Sequence, residues 1–460
     1  MNSRLALVIA FPAVVPAVIA LMTVPRTQMA WAPSEADATH SVIVKLIGDG
    51  ELQVTSPDDD TEIQVNGQFA HMFVQSNRST IATAPCVTPA NAPFTVVCPF
   101  DQVKSVLVLT SAGDDVVQTL LEVQPVTVIT GDGNDTVIDN SVNFNTVLHD
   151  LFLLGDGDDR AGFGNSTGVA NDVFGGPGRD EVEYGNVLSV SISLDDLAND
   201  GPLDEQGPLP ATLNDNIRSD VEDITGGAAA DILIGSDSNN LIIGGGDTDT
   251  IHGLGGDDTM NGDSELSFFA NTDLIDGGDG TDTVSYDERS TPVNVSLDGV
   301  ANDGAPGEAD NVINTENIIG GGGNDTLTGN AAGNVIRGLG GDDTIAGGAG
   351  RDIIDGGGGT DTATYAEHST AVTVSLDGLA NDGAPGEADN VINTENLIGG
   401  GGNDTLTGNA GPNFIRGLGG NDQLRGLAGN DLLIGDTGTD VADGGAGGDL
   451  CQAERVLSCP

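Results

Sequence analysis

From Gly399 to Gln452 the chain divides without slippage into the nine-residue units GGGGNDTLT, GNAGPNFIR, GLGGNDQLR, GLAGNDLLI, GDTGTDVAD and GGAGGDLCQ. A period this short constrains the fold more than any other feature of the chain. One unit is a tight turn plus a short strand, and it can bury an apolar face only by stacking on its neighbours. The sixth positions are Asp404, Asn413, Asp422, Asp431, Asp440 and Asp449, and the eighth are mostly apolar: Leu406, Ile415, Leu424, Leu433, Ala442 and Cys451. A second array runs over 320–364 with Asp325, Asn334, Asp343, Asp352 and Asp361 in phase, and a third over 226–261 with Asp231, Asn240, Asp249 and Asp258. Residues seven to nine of each unit read as a strand whose middle side chain points inward. The expected fold is therefore all-β.

The remaining positions have their own chemistry. Glycines at positions one, two and four permit φ > 0 and a tight turn, and they leave backbone carbonyls uncovered. Position six sets a carboxylate beside those carbonyls, and several oxygens of these two kinds are what Ca²⁺ takes as ligands.

These units resemble the glycine-rich nonapeptides G-G-x-G-x-D-x-U-x of the repeats-in-toxin (RTX, hemolysin-type) calcium-binding family, of the exported bacterial kind. The resemblance is strong over 175–452 and weaker before it. It implies a parallel β-roll in which successive units lie on opposite edges and units eighteen residues apart share an ion. Asp404, Asp422 and Asp440 would then line one edge, opposite Asn413, Asp431 and Asp449; Asp325, Asp343 and Asp361 would lie opposite Asn334 and Asp352. The implied calcium ligands are these aspartates together with Asp135, Asp159, Asp180, Asp231, Asp249, Asp258 and Asp282. The second unit of each array carries Asn at position six, which keeps one oxygen but lacks the charge, so weaker or absent calcium is expected there.

A longer period overlies the short one: residues 277–355 match 356–434 at an offset of 79. Each copy holds a tyrosine, Tyr286 or Tyr365, and then an insert, NVSLDGVANDGAPGEADNVINTENIIG (294–320) or TVSLDGLANDGAPGEADNVINTENLIG (373–399). A diverged copy begins at Gly175, with Asp180, Tyr184 and SLDDLANDG (193–201). The alternating NVSLD and TVSLD read as strands, and the Gly, Pro, Asp and Glu that follow read as a protruding acidic loop. Asp303, Glu308 and Asp310 could bind further calcium, but a solvated face is the favoured reading.

Upstream, SVIVKLI, ELQVTS, EIQVNG and HMFVQS alternate in the manner of strands. From Val103 degenerate units return, with Asp115, Asp135, Asp159 and Asp180 spaced by 20, 24 and 21 residues. That spacing is one eighteen-residue coil plus small insertions, with calcium loops mainly on one edge, and it starts the solenoid near residue 103. The expected organisation is a signal segment over 1–38, a β-rich head over 39–102, degenerate coils over 103–225 and arrays over 226–276, 320–364 and 399–452. A linking unit with an acidic insert covers 277–319, a second insert 365–398 and a C-terminal cap 453–460.

Composition sets the partners. The balance of 14 Lys+Arg against 71 Asp+Glu gives a net charge of −57, which repels nucleic acid and anionic lipid surfaces. Calcium is the expected partner, with an unidentified cell-surface or extracellular matrix or polysaccharide partner beside it. Arg4, the apolar run Leu5 to Met22 and the small-x-small site Ala36-Asp37-Ala38 read as an export signal; the alternative is an uncleaved anchor at the cell surface. The expected location is secreted. In an oxidising compartment Cys86, Cys98, Cys451 and Cys459 would pair, and short loops favour Cys86–Cys98 and Cys451–Cys459 among the possible connectivities.

Chemistry motifs are few. The five histidines include no pair four residues apart, so H-E-x-x-H is absent. One G-x-S-x-G occurs around Ser166, but a nucleophile elbow needs a helix after it, and VANDVFGGPG reads as loop and repeat. The sequence therefore reads as a non-catalytic calcium-binding structural or surface protein. The alternative is an exported hydrolase, of protease or lipase class, with its catalytic part within 41–225.

Overall fold

The computed structural model describes residues 42–47, 51–56, 61–68, 71–75, 80–82, 86–87, 95–99, 103–121, 124–140, 148–164, 169–185, 189–204, 207–208, 214–263 and 271–459. The export segment over 1–38 lies outside them, as does Ser166. The described residues form strands and turns with no helix. The chain divides into two compact units, Met1–Ser236 and Asp237–Pro460.

The first unit is built on two parallel stacks. One runs from Glu51–Thr55 through Ser105–Leu109, Val126–Ile129, Leu148–Leu153 and Val169–Phe174 to Asn216–Ile217. The other runs from Glu62–Gln68 through Val116–Leu120, Thr136–Asp139, Arg160–Phe163 and Glu181–Tyr184 to Asp223–Thr225. Parallel stacking is thus not confined to residues beyond 103. Glu51–Thr55 and Glu62–Gln68, within the head, form its first coil. Antiparallel strands cover that coil: Val42–Ile47 on the first stack, and His71–Gln75 followed by Thr95–Pro99 on the second. Cys86 is joined to Cys98, and the Val87–Val97 bridge lies beside the link.

The second unit repeats the scheme, with strands that from Thr283 onward are three residues long up to the last, Arg455–Ser458. In the last array Thr405–Thr407, Gln423–Arg425, Val441–Asp443 and Arg455–Ser458 form one stack. Asn396–Ile398, Phe414–Arg416, Leu432–Ile434 and Leu450–Gln452 form another. The strands before Leu450 bury their middle residues, so Leu406, Ile415, Leu424, Leu433 and Ala442 make a one-side-chain-thick core. Cys451 ends that row half-buried and bonded to Cys459.

Close coil stacking depends on the fourth glycine. Gly438 has φ 151°, and a Cβ there would lie 1.5 Å from the Gly420 carbonyl oxygen of the preceding coil. Any side chain at this position would force the coils apart.

Each insert exchanges one stack for another. Asn294–Ser296 founds the stack that continues with Thr326–Thr328, while Asn311–Ile313 ends the stack it shares with Leu274–Asp279. Thr373–Ser375 and Asn390–Ile392 do the same one copy later. In the diverged copy Val190–Ser193 pairs Ile232–Ile234, and Asn216–Ile217 closes its own stack.

Candidate calcium columns

The repeat places its aspartates in columns held by backbone N–H groups. The Asp404 N–H donates to Asp422 Oδ1 (2.9 Å), and the Asp422 N–H to Asp440 Oδ1 (2.9 Å). On the other edge the Asn413 N–H donates to Asp431 Oδ1 and the Asp431 N–H to Asp449 Oδ1. Asp325, Asp343 and Asp361 are linked in the same way, as are Asn334 and Asp352. The eighteen-residue columns implied by the family resemblance are therefore present. In the first unit Asp115, Asp135, Asp159 and Asp180 form one continuous column, each N–H donating to the next carboxylate at 2.7–2.9 Å. Asp249 links to Asp273, and Asn240 to Asp258 and then Asp282. Asp231 receives the Val190 N–H.

Every one of the expected ligand aspartates is 8% exposed or less. One oxygen of each linked carboxylate takes the neighbouring coil's N–H. The Oδ2 atoms of Asp343, Asp352, Asp361, Asp422, Asp431, Asp440 and Asp449 are buried with no hydrogen-bond donor. The first glycine of the unit shows where these atoms point. A Cβ on Gly417 would sit 2.2 Å from Asp422 Oδ2 and 3.0 Å from the Gly435 carbonyl oxygen. On Gly338 it would sit 2.0 Å from Asp343 Oδ2 and 2.6 Å from the Gly356 carbonyl oxygen. This first glycine does not have positive φ; it is needed for the space in which a carboxylate and the next coil's carbonyl converge. An oxygen-only donor set that lacks a proton donor suits a hard cation such as Ca²⁺.

Burial makes the charge costly without such a cation. It pushes Asp343 and Asp422 up to about 6 and Asp352 up to about 7 from 3.8, with neighbouring carboxylates adding to the rise. Asp159 and Asp180 rise to about 7 for the same reasons.

The start of each array differs. Asp231, Asp325 and Asp404 have both oxygens taken by N–H donors, the second by the loop residues Gly227, Gly321 and Gly400. Asn334 and Asn413 are also self-satisfied. The Asn413 Nδ2 donates to the Glu395 carbonyl and to Asn409 Oδ1, and its Oδ1 accepts the Asn409 N–H. The amide N–H stands where other units present a bare oxygen.

Several site residues fall outside the nine-residue phase. Glu222, Glu316, Glu395 and Glu454 end their columns by accepting the N–H of Asp180, Asp282, Asp361 and Asp440 at 2.9–3.0 Å. The shared INTEN of the two inserts is the signal that marks Glu316 and Glu395. Asp310 and Asp389 likewise accept the N–H of Asp273 and Asp352.

The reading of the acidic insert as a solvated face is corrected for Asp303, Glu308 and Asp310. Asp303 and Asp310 are 1% exposed, and the Glu308 side chain 6%. Asp303 accepts the N–H groups of Ser296 and Val312, and its backbone pairs with that of Asp310. Asp310 also accepts the Tyr286 hydroxyl at 3.2 Å. Tyr365 with Asp389 and Tyr184 with Asp215 repeat this contact. Backbone N–H groups of the insert itself and a tyrosine 24 residues upstream supply these donors, which is why a polar composition hides a buried turn. Around the G-x-S-x-G, the strand Val169–Phe174 follows where a nucleophile elbow would need a helix.

Parallel coils joined by glycine turns and studded with buried carboxylate columns define a calcium-binding repeat protein. The family model of the RTX calcium-binding nonapeptide repeat matches residues 225–263, 270–288, 313–332, 328–363, 398–433 and 416–451, so this part of the chain carries RTX repeats. No curated protein matches the chain.

The columns predict a ranking of substitutions. Asp422→Ala, in the middle of its column, is expected to lower calcium stoichiometry and cooperativity most, Asp449→Ala at a column end less, and Asn413→Ala least. Asn413→Asp is expected to bind calcium more tightly, yet to cost about 1–3 kcal/mol in chelator by orphaning an acceptor. Calorimetric titration of the full-length variants ranks them. Indistinguishable stoichiometry and affinity across the set would rule out shared ions.

Proposed function

We propose that this is a secreted, non-catalytic calcium-binding β-roll protein with a structural or adhesive role at a surface, and that its roll forms on meeting calcium outside the cell. The observation that carries the reading is the row of buried, donor-less Oδ2 atoms facing backbone carbonyls. Asp343, Asp352, Asp361, Asp422, Asp431, Asp440 and Asp449 would hold the ions in the arrays over 320–364 and 399–452. Asp258 and Asp282 would do so in the array over 226–276 and the unit after it, and Asp159 and Asp180 in the degenerate coils. Bound calcium supplies the positive charge that lets these carboxylates stay ionised while buried. Export is supported by the amino-terminal apolar segment and by the two disulfides, Cys86–Cys98 and Cys451–Cys459. Calorimetry of the full chain is expected to show several calcium ions bound with Kd of about 10⁻⁴–10⁻³ M, the range of extracellular modules. The absence of calcium binding at millimolar concentration would overturn the reading.

A further inference from the structure

The buried corners beside the two inserts are related by the same 79-residue offset but differ, each counted with the copy whose insert it holds. In the second copy the corner is formed by Asp352, Asp389, Glu387 and His368, and His368 Nε2 lies 3.2 Å from Glu387 Oε1. In the first copy Asp273, Asp310 and Glu308 stand in the corresponding places, and Arg289 replaces the histidine. A further carboxylate is added. Gly262 and Gly347 are equivalent, because a Cβ on either would meet the Oδ2 of its own aspartate, Asp273 at 2.3 Å or Asp352 at 2.4 Å. The next residue is Gly348 in the second copy but Asp263 in the first.

Asp263 adds a fourth carboxylate to the corner; its Oδ1 accepts the Asn271 amide N–H, and Asp310 accepts the Asp273 N–H and the Tyr286 hydroxyl. One oxygen each from Asp263, Asp273 and Asp310 lie within 4.8 Å of one another. A cation with oxygens at about 2.3–2.6 Å allows separations up to roughly 5 Å between them. All three residues are 1% exposed. Asp273 Oδ1 is used by the Asp249 N–H, while its Oδ2 is buried without a donor. Arg289 donates to Asp263 Oδ2 at 2.6 Å and to Glu308 Oε1 at 3.1 Å. Its single charge faces four buried carboxylates, and an uncompensated buried charge is costly.

We propose that Asp263, Asp273 and Asp310 hold an additional hard divalent cation of the calcium class, beside the first insert and outside the repeat consensus. Here the ligands are side-chain carboxylates from the end of strand Thr259–Asp263 and from the turns that precede Leu274–Asp279 and Asn311–Ile313, whereas the repeat loops pair a carboxylate with glycine carbonyls. The proposal rests on the calcium reading for its choice of ion. Burial also pushes Asp273 up to about 7 and Asp310 up to about 8, so without a cation the corner competes for protons.

The second copy provides the test. Asp263→Gly, and the double variant Asp263→Gly with Arg289→His, convert the first corner to residues that already fold in the second. Native mass spectrometry of the full chain at saturating calcium counts ions directly, with circular dichroism checking β-content. Both variants are expected to bind one ion fewer than the wild type with β-content unchanged. A count equal to the wild type would show that the corner holds no ion and would overturn the site. A wild type with no bound calcium would overturn the calcium reading of the repeats as well.

Discussion

In chelator the full chain is expected to lose most of its β-sheet circular dichroism, and to regain it cooperatively as calcium rises to ~2 mM. The core is one side chain thick per strand, and the net charge of −57 opposes compaction. At a Kd of ~0.1 mM and ~2 mM calcium, each site adds about 1.8 kcal/mol. A handful of such sites matches the whole stability of an ordinary domain, roughly 5–15 kcal/mol. At the sub-micromolar calcium of a cytosol the contribution all but vanishes, so the arrays would stay unfolded until exported. Equal β-content in chelator and in millimolar calcium would sink the idea.

Acid is expected to replace calcium in the metal-free chain. Burial lifts Asp115, Asp159, Asp180 and Asp352 to about 7, and Asp135, Asp258, Asp343 and Asp422 to about 6, from 3.8. The folded chain therefore binds protons more tightly than the unfolded one, and metal-free stability falls as pH rises. It is fully present below about pH 4 and is lost as pH climbs through about 6 to 7. This is the reverse of ordinary acid denaturation, in which native carboxylates have depressed values. Chelated protein that is disordered at pH ~7.5 should gain β-structure near pH ~4.5, while calcium affinity weakens over the same range because protons compete for the same oxygens. Chelated protein that is less ordered at the lower pH would refute it.

Much of this was legible because a nine-residue period carries its own geometry. Once the phase of Leu406, Ile415 and Leu424 is known the strand middles follow, the family resemblance adds the eighteen-residue columns, and both are present. Partners that leave the phase were not legible. Glu316 and Glu395 reach their columns 34 residues after Asp282 and Asp361, through an insert whose length the period does not supply. Asp303 and Asp310 read as solvated because their composition is acidic, yet Ser296, Val312 and Tyr286 supply the donors that let them be buried. The pairing of Glu51–Thr55 with Ser105–Leu109 spans 54 residues with antiparallel strands between them. Two-residue alternation signals a strand without saying whether its neighbour runs parallel.

The exchange of stacks at each insert bears on how such a chain lengthens. A 79-residue copy brings its own founding strand, its columns and the glutamate that ends one of them. Duplication of that segment as a block would leave no ragged sheet margin and no half-built column at the seam. A chain assembled in this way can evolve in whole modules, with each new copy free to diverge at a corner, as Arg289 and His368 have done, while its neighbours keep their fold.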